Sequence, residues 1–194
     1  MIEKKGFSLA ELLVSIAIMT MITAVVLYDM PQFNRNILMN QTARQIASTL
    51  RDAEQRSVSV SQRGGATVKN YGVYFDTAAN SDFVLFTDTN ANLMYDHSAG
   101  VCDSECITSY SFTQGVHIKS LKKPDDNILN GMHVIFYRPD PSIKISDESG
   151  MCVSGVLPCP VGGYGPFKIT IESRDTSLTK TIDVWLTGQI SIEP

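Results

Sequence analysis

The sequence predicts an α+β protein in which a long N-terminal helix, half membrane-spanning and half amphipathic, packs on an antiparallel β-sheet domain. Three observations point there. Residues 7–28 are almost wholly apolar, residues 39–60 repeat apolar side chains at helical spacing, and beyond residue 65 the apolar period shortens to two. The 194 residues suffice for one domain with a core plus an appended element. With 43% hydrophobic and 19% charged residues the chain is not a disordered tail. A net charge of −4 and a pI near 5.3 argue against nucleic acid as a partner held through phosphates. The mean hydropathy of +0.00 averages two unlike parts, an apolar start and a polar remainder.

The first element spans 22 residues, 7–28, with a single charge at Glu11. As a helix it would be roughly 33 Å long, enough to cross a bilayer core. Lys4 and Lys5 just before it favour keeping that end cytoplasmic. A secretory signal peptide would be followed by a small-residue cleavage site. Tyr28-Asp29-Met30-Pro31 does not provide one. A plain membrane anchor fits the length, but gains nothing from an acidic residue four positions after Phe7.

At this point a family resemblance becomes specific. Lys5-Gly6-Phe7-Ser8-Leu9-Ala10-Glu11-Leu12-Leu13-Val14 resembles the cleavage and methylation motif of type IV prepilins and type II secretion pseudopilins. The resemblance implies a leader at residues 1–6, cutting between Gly6 and Phe7 by a membrane-bound prepilin peptidase, and N-methylation of Phe7. Glu11 becomes the fifth residue of the mature chain. It implies partners too: other pilin or pseudopilin subunits, the peptidase and methyltransferase, an inner-membrane assembly platform, and lipid before assembly. The chain would sit once through the inner membrane, with its globular part on the periplasmic or extracellular side. A carboxylate in a helical filament core is tolerable only with a partner, and the resemblance supplies the Phe7 amine of an adjacent subunit. The competing reading is that Glu11 snorkels to the headgroups.

Pro31 should kink the chain or end its first helical segment, giving a membrane helix over 7–30 and an amphipathic helix over 31–63. Met39, Ala43, Ile46, Leu50, Ala53, Ser57 and Val60 form one face of the second segment. Gly64-Gly65 reads as its stop. A β-rich domain follows over 64–194, with strands read at 68–75, 83–87, 110–121, 132–137, 167–173, 179–187 and 189–192. Ile169, Ile171, Ile182 and Val184 alternate with polar residues, as a sheet with one buried face demands. Residues 43–64 and the ending Lys180-Thr-Ile-Asp-Val-Trp-Leu-Thr-Gly-Gln-Ile are similar to H-class minor pseudopilins and their minor-pilin relatives. The cysteine-bearing insertions at 101–107 and 150–163 depart from that class.

Cys102, Cys106, Cys152 and Cys159 fit two disulfides in an oxidising compartment. Three connectivities exist, of which Cys102–Cys106 with Cys152–Cys159 is the simplest. Zinc competes, but three and six intervening residues are not a familiar zinc spacing. Asp88, Asn90, Asn92 and Asp96 echo the first, third, fifth and ninth positions of a calcium loop, where a hard cation needs several oxygens on a tight turn. Leu93 stands where the turn glycine belongs, and Ala99 where the bidentate glutamate would be; Asp103 or Glu105 is available to replace it. The alternative is a polar hairpin loop closed by Asx turns. The loop thus points to calcium as a cofactor. His97, His117 and His133 are scattered, and nothing marks a nucleophile turn or phosphate cradle. The expected function is a structural filament subunit and not an enzyme; a membrane-anchored adhesin or DNA receptor is the alternative.

Overall fold

A computed structural model describes residues 8–59, 62–63, 66–67, 70–96, 102, 105–112, 115–137, 143–150, 152–154 and 165–193. Two compact units divide the chain, Met1–Ile37 and Leu38–Pro194. Helix α1 (Leu9–Val58) contributes to both. It contains no glycine and only one proline, so little in its composition opposes helix.

The helix runs unbroken through residue 31, so of the kink or end expected there the end does not occur. Proline deletes one intrahelical hydrogen bond. Ending the helix there would instead leave about four carbonyls and four amides to satisfy next to an apolar stretch. The stop comes earlier than Gly64-Gly65, at Val58. Ser57 and Ser59 direct their hydroxyls back to the carbonyls of Glu54 (2.6 Å) and Arg56 (3.1 Å). A run of serines and valines sustains helix poorly. Beyond it, β1 (Gln62–Arg63) pairs with β2 (Ala66–Thr67).

The remaining strands are β3 (Asn70–Asp76), β4 (Asp82–Asp88), β5 (Cys106–Ser111), β6 (His117–Lys122), β7 (Ile128–Leu129) and β8 (Gly131–Phe136), followed by β9 (Ile143–Asp147), β10 (Cys152–Ser154), β11 (Phe167–Glu172), β12 (Thr179–Val184) and β13 (Ile190–Glu193). They build two larger antiparallel sheets, ordered β10-β9-β8-β3-β4-β5 and β13-β12-β11-β6-β7. The antiparallel β-sheet domain expected from sequence is thus two sheets, and the single strand expected over 110–121 is corrected to two, β5 and β6. The chain leaves the first sheet after Ser111 and enters the second at His117. Gly115 turns it, with φ of +80°, a conformation that side chains other than glycine's strain to adopt.

Within Leu38–Pro194, one apolar core joins α1 to both sheets. Met39, Ala43, Ile46, Leu50 and Ala53 are buried from the helix, as their spacing predicts, and Ala47 widens that face. Val73, Phe75, Leu85 and Val134 come from the six-stranded sheet; Ile169, Ile171, Ile182 and Val184 come from the other. Val60 lies outside the described residues. The opposite face of the six-stranded sheet carries a smaller cluster, Phe86, Tyr95, Cys106 and Ile135, with Tyr74, Val84 and Leu93 against it. Alternation along β3, β4 and β8 sends neighbours to opposite faces, so one sheet serves both clusters.

Gly72, mid-strand in β3, marks a close approach. A Cβ there would lie 2.7 Å from the Phe86 ring and 2.9 Å from the Val134 carbonyl oxygen. Overpacking of this kind costs about 1–3 kcal/mol. Gly72→Ala should therefore lower the unfolding free energy of the detergent-solubilised chain by that much, measured by chemical unfolding; an unchanged value would mean the strands part freely.

Candidate functional site

Two places hold chemistry: the start of α1 and the loop that follows β4. Ser8 stands just ahead of α1, and its carbonyl accepts the first helical bond from Leu12 N–H at 3.2 Å. Glu11, three residues on, accepts from the Ser8 amide at 3.4 Å. Ser-x-x-Glu at a helix start is the capping-box pattern. It is readable in the sequence and gives Glu11 a local role besides the intersubunit one. Gly6 and Phe7 lie outside the described residues.

From Leu9 to Phe33 the large apolar side chains are exposed, Leu12, Ile16, Met19, Ile22 and Val26 among them. Three hydroxyls between them are satisfied within the helix. Ser15, Thr20 and Thr23 donate their hydroxyls to the carbonyls of Glu11 (2.7 Å), Ala17 (2.9 Å) and Met19 (2.8 Å). This helix is long and apolar enough to cross a membrane, by length and composition.

The second place is built on the outer cluster of the six-stranded sheet. After β4 the chain folds back over that face. Tyr95 packs against Phe86 and Tyr74, with ring centroids at 5.4 and 5.9 Å. The Tyr95 amide donates to His133 Nδ1 at 3.1 Å, so that nitrogen carries no proton. The Ser146 hydroxyl donates to the Leu93 carbonyl. These anchors fix the 88–96 loop and bring Asp88, Asn90, Asn92 and Asp96 onto one short turn.

Asp88, fully buried, accepts from Asn70 Nδ2 across the β3–β4 pair (3.2 Å) and from the amides of Asn92 (3.2 Å) and Leu93 (3.3 Å). Burial pushes its carboxyl above the ordinary range. The hydrogen bonds from Asn70, Leu93 and Ala91 oppose that rise, and the nearby Glu105 charge adds to it. Asp96 accepts from Asn90 Nδ2 at 2.6 Å and from Asn92 Nδ2 at 3.0 Å on both oxygens. Asn90 and Asn92 also accept backbone amides two residues on, closing successive Asx turns.

Glu105 closes the loop from a distance. Buried at the entry to β5, it accepts from the Thr89 amide (3.0 Å) and hydroxyl (2.7 Å) through Oε1, and from the Asp96 amide (3.1 Å) through Oε2. The sequence offers Asp103 or Glu105 here; the fold brings Glu105, while Asp103 is outside the described residues, as is Ala99. Cys102 and Cys106 are joined in a disulfide that brackets Glu105. The Cys152 side chain and Cys159 lie outside the description, and so does their pairing. Among the described residues, no three His, Cys, Asp or Glu side chains gather closely enough to hold a metal on their own.

Residues 1–27 match the prokaryotic N-terminal methylation motif family, the type IV prepilin-like signal. No curated protein and no solved structure is similar enough to this chain to be matched with it. The chain therefore carries a pilin-type N-terminal signal, and its remaining residues are without a matched relative.

Leu93 adopts the left-handed conformation that a turn glycine would take, with φ of 63°, and Ala91 does the same at 62°. Such a conformation costs a non-glycine residue about 1–2 kcal/mol, partly offset by glycine's larger entropy loss on folding. Because Ala91 is exposed, Ala91→Gly should stabilise the chain by about 0.5–1 kcal/mol, read from chemical unfolding. Destabilisation would show that the left-handed turn is not held.

Proposed function

We propose that this chain is a structural subunit of a type IV filament system, a minor pilin or pseudopilin, processed between Gly6 and Phe7 and assembled through its N-terminal helix. The observation that carries this reading is a single carboxylate, Glu11, in the first turn of a helix whose next seventeen residues carry no charge. That segment, up to Leu27, lies inside the match to the methylation motif.

Processing would free the Phe7 amine, and methylation leaves it cationic at neutral pH. In lipid the new subunit waits with its apolar side chains solvated by acyl chains, on the assembly platform of the inner membrane. Before the cut, Lys4 and Lys5 of the leader direct the helix start to the cytoplasmic side, which puts the β-rich part across the membrane. In a filament the same side chains bury against neighbouring helices, and Glu11 pairs with the Phe7 amine of the adjacent copy. Charge neutralisation inside an apolar bundle sets the axial register, because a stagger that separates the two strands both.

The capping role of Glu11 must be separated from its charge. Glu11→Gln keeps a side-chain acceptor for the Ser8 amide and removes the charge, whereas Glu11→Ala removes both. Both variants should be processed normally, and both should enter filaments at least roughly tenfold less than wild type. Wild-type incorporation of Glu11→Gln alongside a failing Glu11→Ala would assign Glu11 to the helix cap and overturn the register role.

A further inference from the structure

We propose, independently of the filament reading, that His133 is an acid-sensitive latch for the 88–96 loop. Protonation of its ring releases the loop from the outer face of the six-stranded sheet and uncovers Phe86 and Ile135. His133 lies within β8, 1% exposed, and its Nδ1 accepts the Tyr95 amide at 3.1 Å. A backbone amide only donates, so this bond exists only while Nδ1 carries no proton. Protonation would set N–H against N–H, and the charged ring is itself disfavoured in an apolar cluster. Loop closure and proton uptake by His133 therefore oppose each other.

The neighbours of the ring are mostly uncharged. Tyr74 of β3 stands opposite in register and stacks on it, centroids 4.4 Å apart, and Phe86 of β4 meets it edge-on at 6.0 Å. On the other side β9 sets Ser146 opposite His133, and the Ser146 hydroxyl is given to the Leu93 carbonyl. Charged groups of this face stand further along each strand. Lys144 and Glu148 flank Ser146, and Asp76 follows Tyr74. The Lys144 ammonium lies 3.9 Å over the Tyr137 ring. Glu148 accepts from Asn130 and the Gly131 amide, and Asp76 from the Ala78 amide. Asp82 and Asp88 mark the two ends of β4, and Asp96 and Glu105 are held by the amides and hydroxyls already described. Asp88 acts with the opposite sign. Burial raises its carboxyl, so its own protonation favours the closed loop as pH falls.

With the loop open the ring is in water, where a histidine titrates near about 6.5. Closure is then fully supported above that pH and weakens below it, by up to about tenfold per pH unit. Hydrogen exchange of the full chain in detergent tests this at the Tyr95 amide. Between about pH 7.5 and about pH 5.5 its protection factor, corrected for intrinsic exchange, should fall roughly tenfold. Amides of the β11–β12 ladder should keep theirs, because the release is local. His133→Phe keeps a ring beside Tyr74 but neither accepts nor titrates. In that variant Tyr95 should be poorly protected at both pH values, with no acid loss. Should the variant fail to fold, NMR of histidine-labelled wild type gives a second reading. Closed-loop His133 should stay neutral at about pH 5.5, where a free histidine is mostly protonated. Undiminished Tyr95 protection at the lower pH, the same acid loss in His133→Phe, a parallel loss in β11 and β12, or a protonated His133 beneath a protected Tyr95 would each overturn the latch.

Discussion

An apolar helix that its own chain leaves uncovered is the constraint on which the rest depends. Leu12, Ile16, Ile22 and Val26 are each more than half exposed. Burying one such side chain is worth about 1.5–3 kcal/mol, so a run of this length cannot stay in water. Lipid and the helices of other copies both satisfy it, and the hydroxyls of Ser15, Thr20 and Thr23 are already turned inward on the backbone. Glu11 is the exception, a group that neither lipid nor a neighbouring apolar helix satisfies unless a positive charge arrives with it.

The same helix solves a different problem beyond Leu38. Its apolar face narrows to Met39, Ala43, Ile46, Leu50 and Ala53, and two sheets close over that stripe. Covering a helix from two sheets requires strands that change sheet, which is what the turn at Gly115 accomplishes. The six-stranded sheet keeps a second apolar face, and Tyr95 and Leu93 cover it by folding the 88–96 loop back on itself. The polar loop is thus a consequence of covering a sheet face, and its carboxylates are held by packing as well as by hydrogen bonds.

Much of this is legible in the sequence where the pattern is local. The buried face of α1 follows from spacing alone, as do β11 and β12, where isoleucines alternate with polar residues. The membrane segment follows from length and charge. What escapes is set by distant contacts or by competing local choices. β9 alternates as well, Ile143 and Ile145 against Lys144 and Ser146, but its five residues are too short a run to stand out. The helix continues past Pro31 because one lost hydrogen bond costs less than two new helix ends. At the loop, sequence spacing suggests Asp88, Asn90, Asn92 and Asp96 and offers Glu105 beside Asp103, while the fold brings Glu105 in and Asn70 joins only through strand pairing. The capping role of Glu11 is the opposite case, written plainly as Ser8-Leu9-Ala10-Glu11 and overshadowed by the charge.

The central claim is that the chain is handled as a prepilin: cut, methylated and left with Glu11 four residues from a new amine. Intact-mass determination of the protein extracted from membranes tests it most directly. The predicted result is a chain that begins at Phe7 and carries one additional methyl group. A chain that retains Met1, or that begins at any residue other than Phe7, would contradict it.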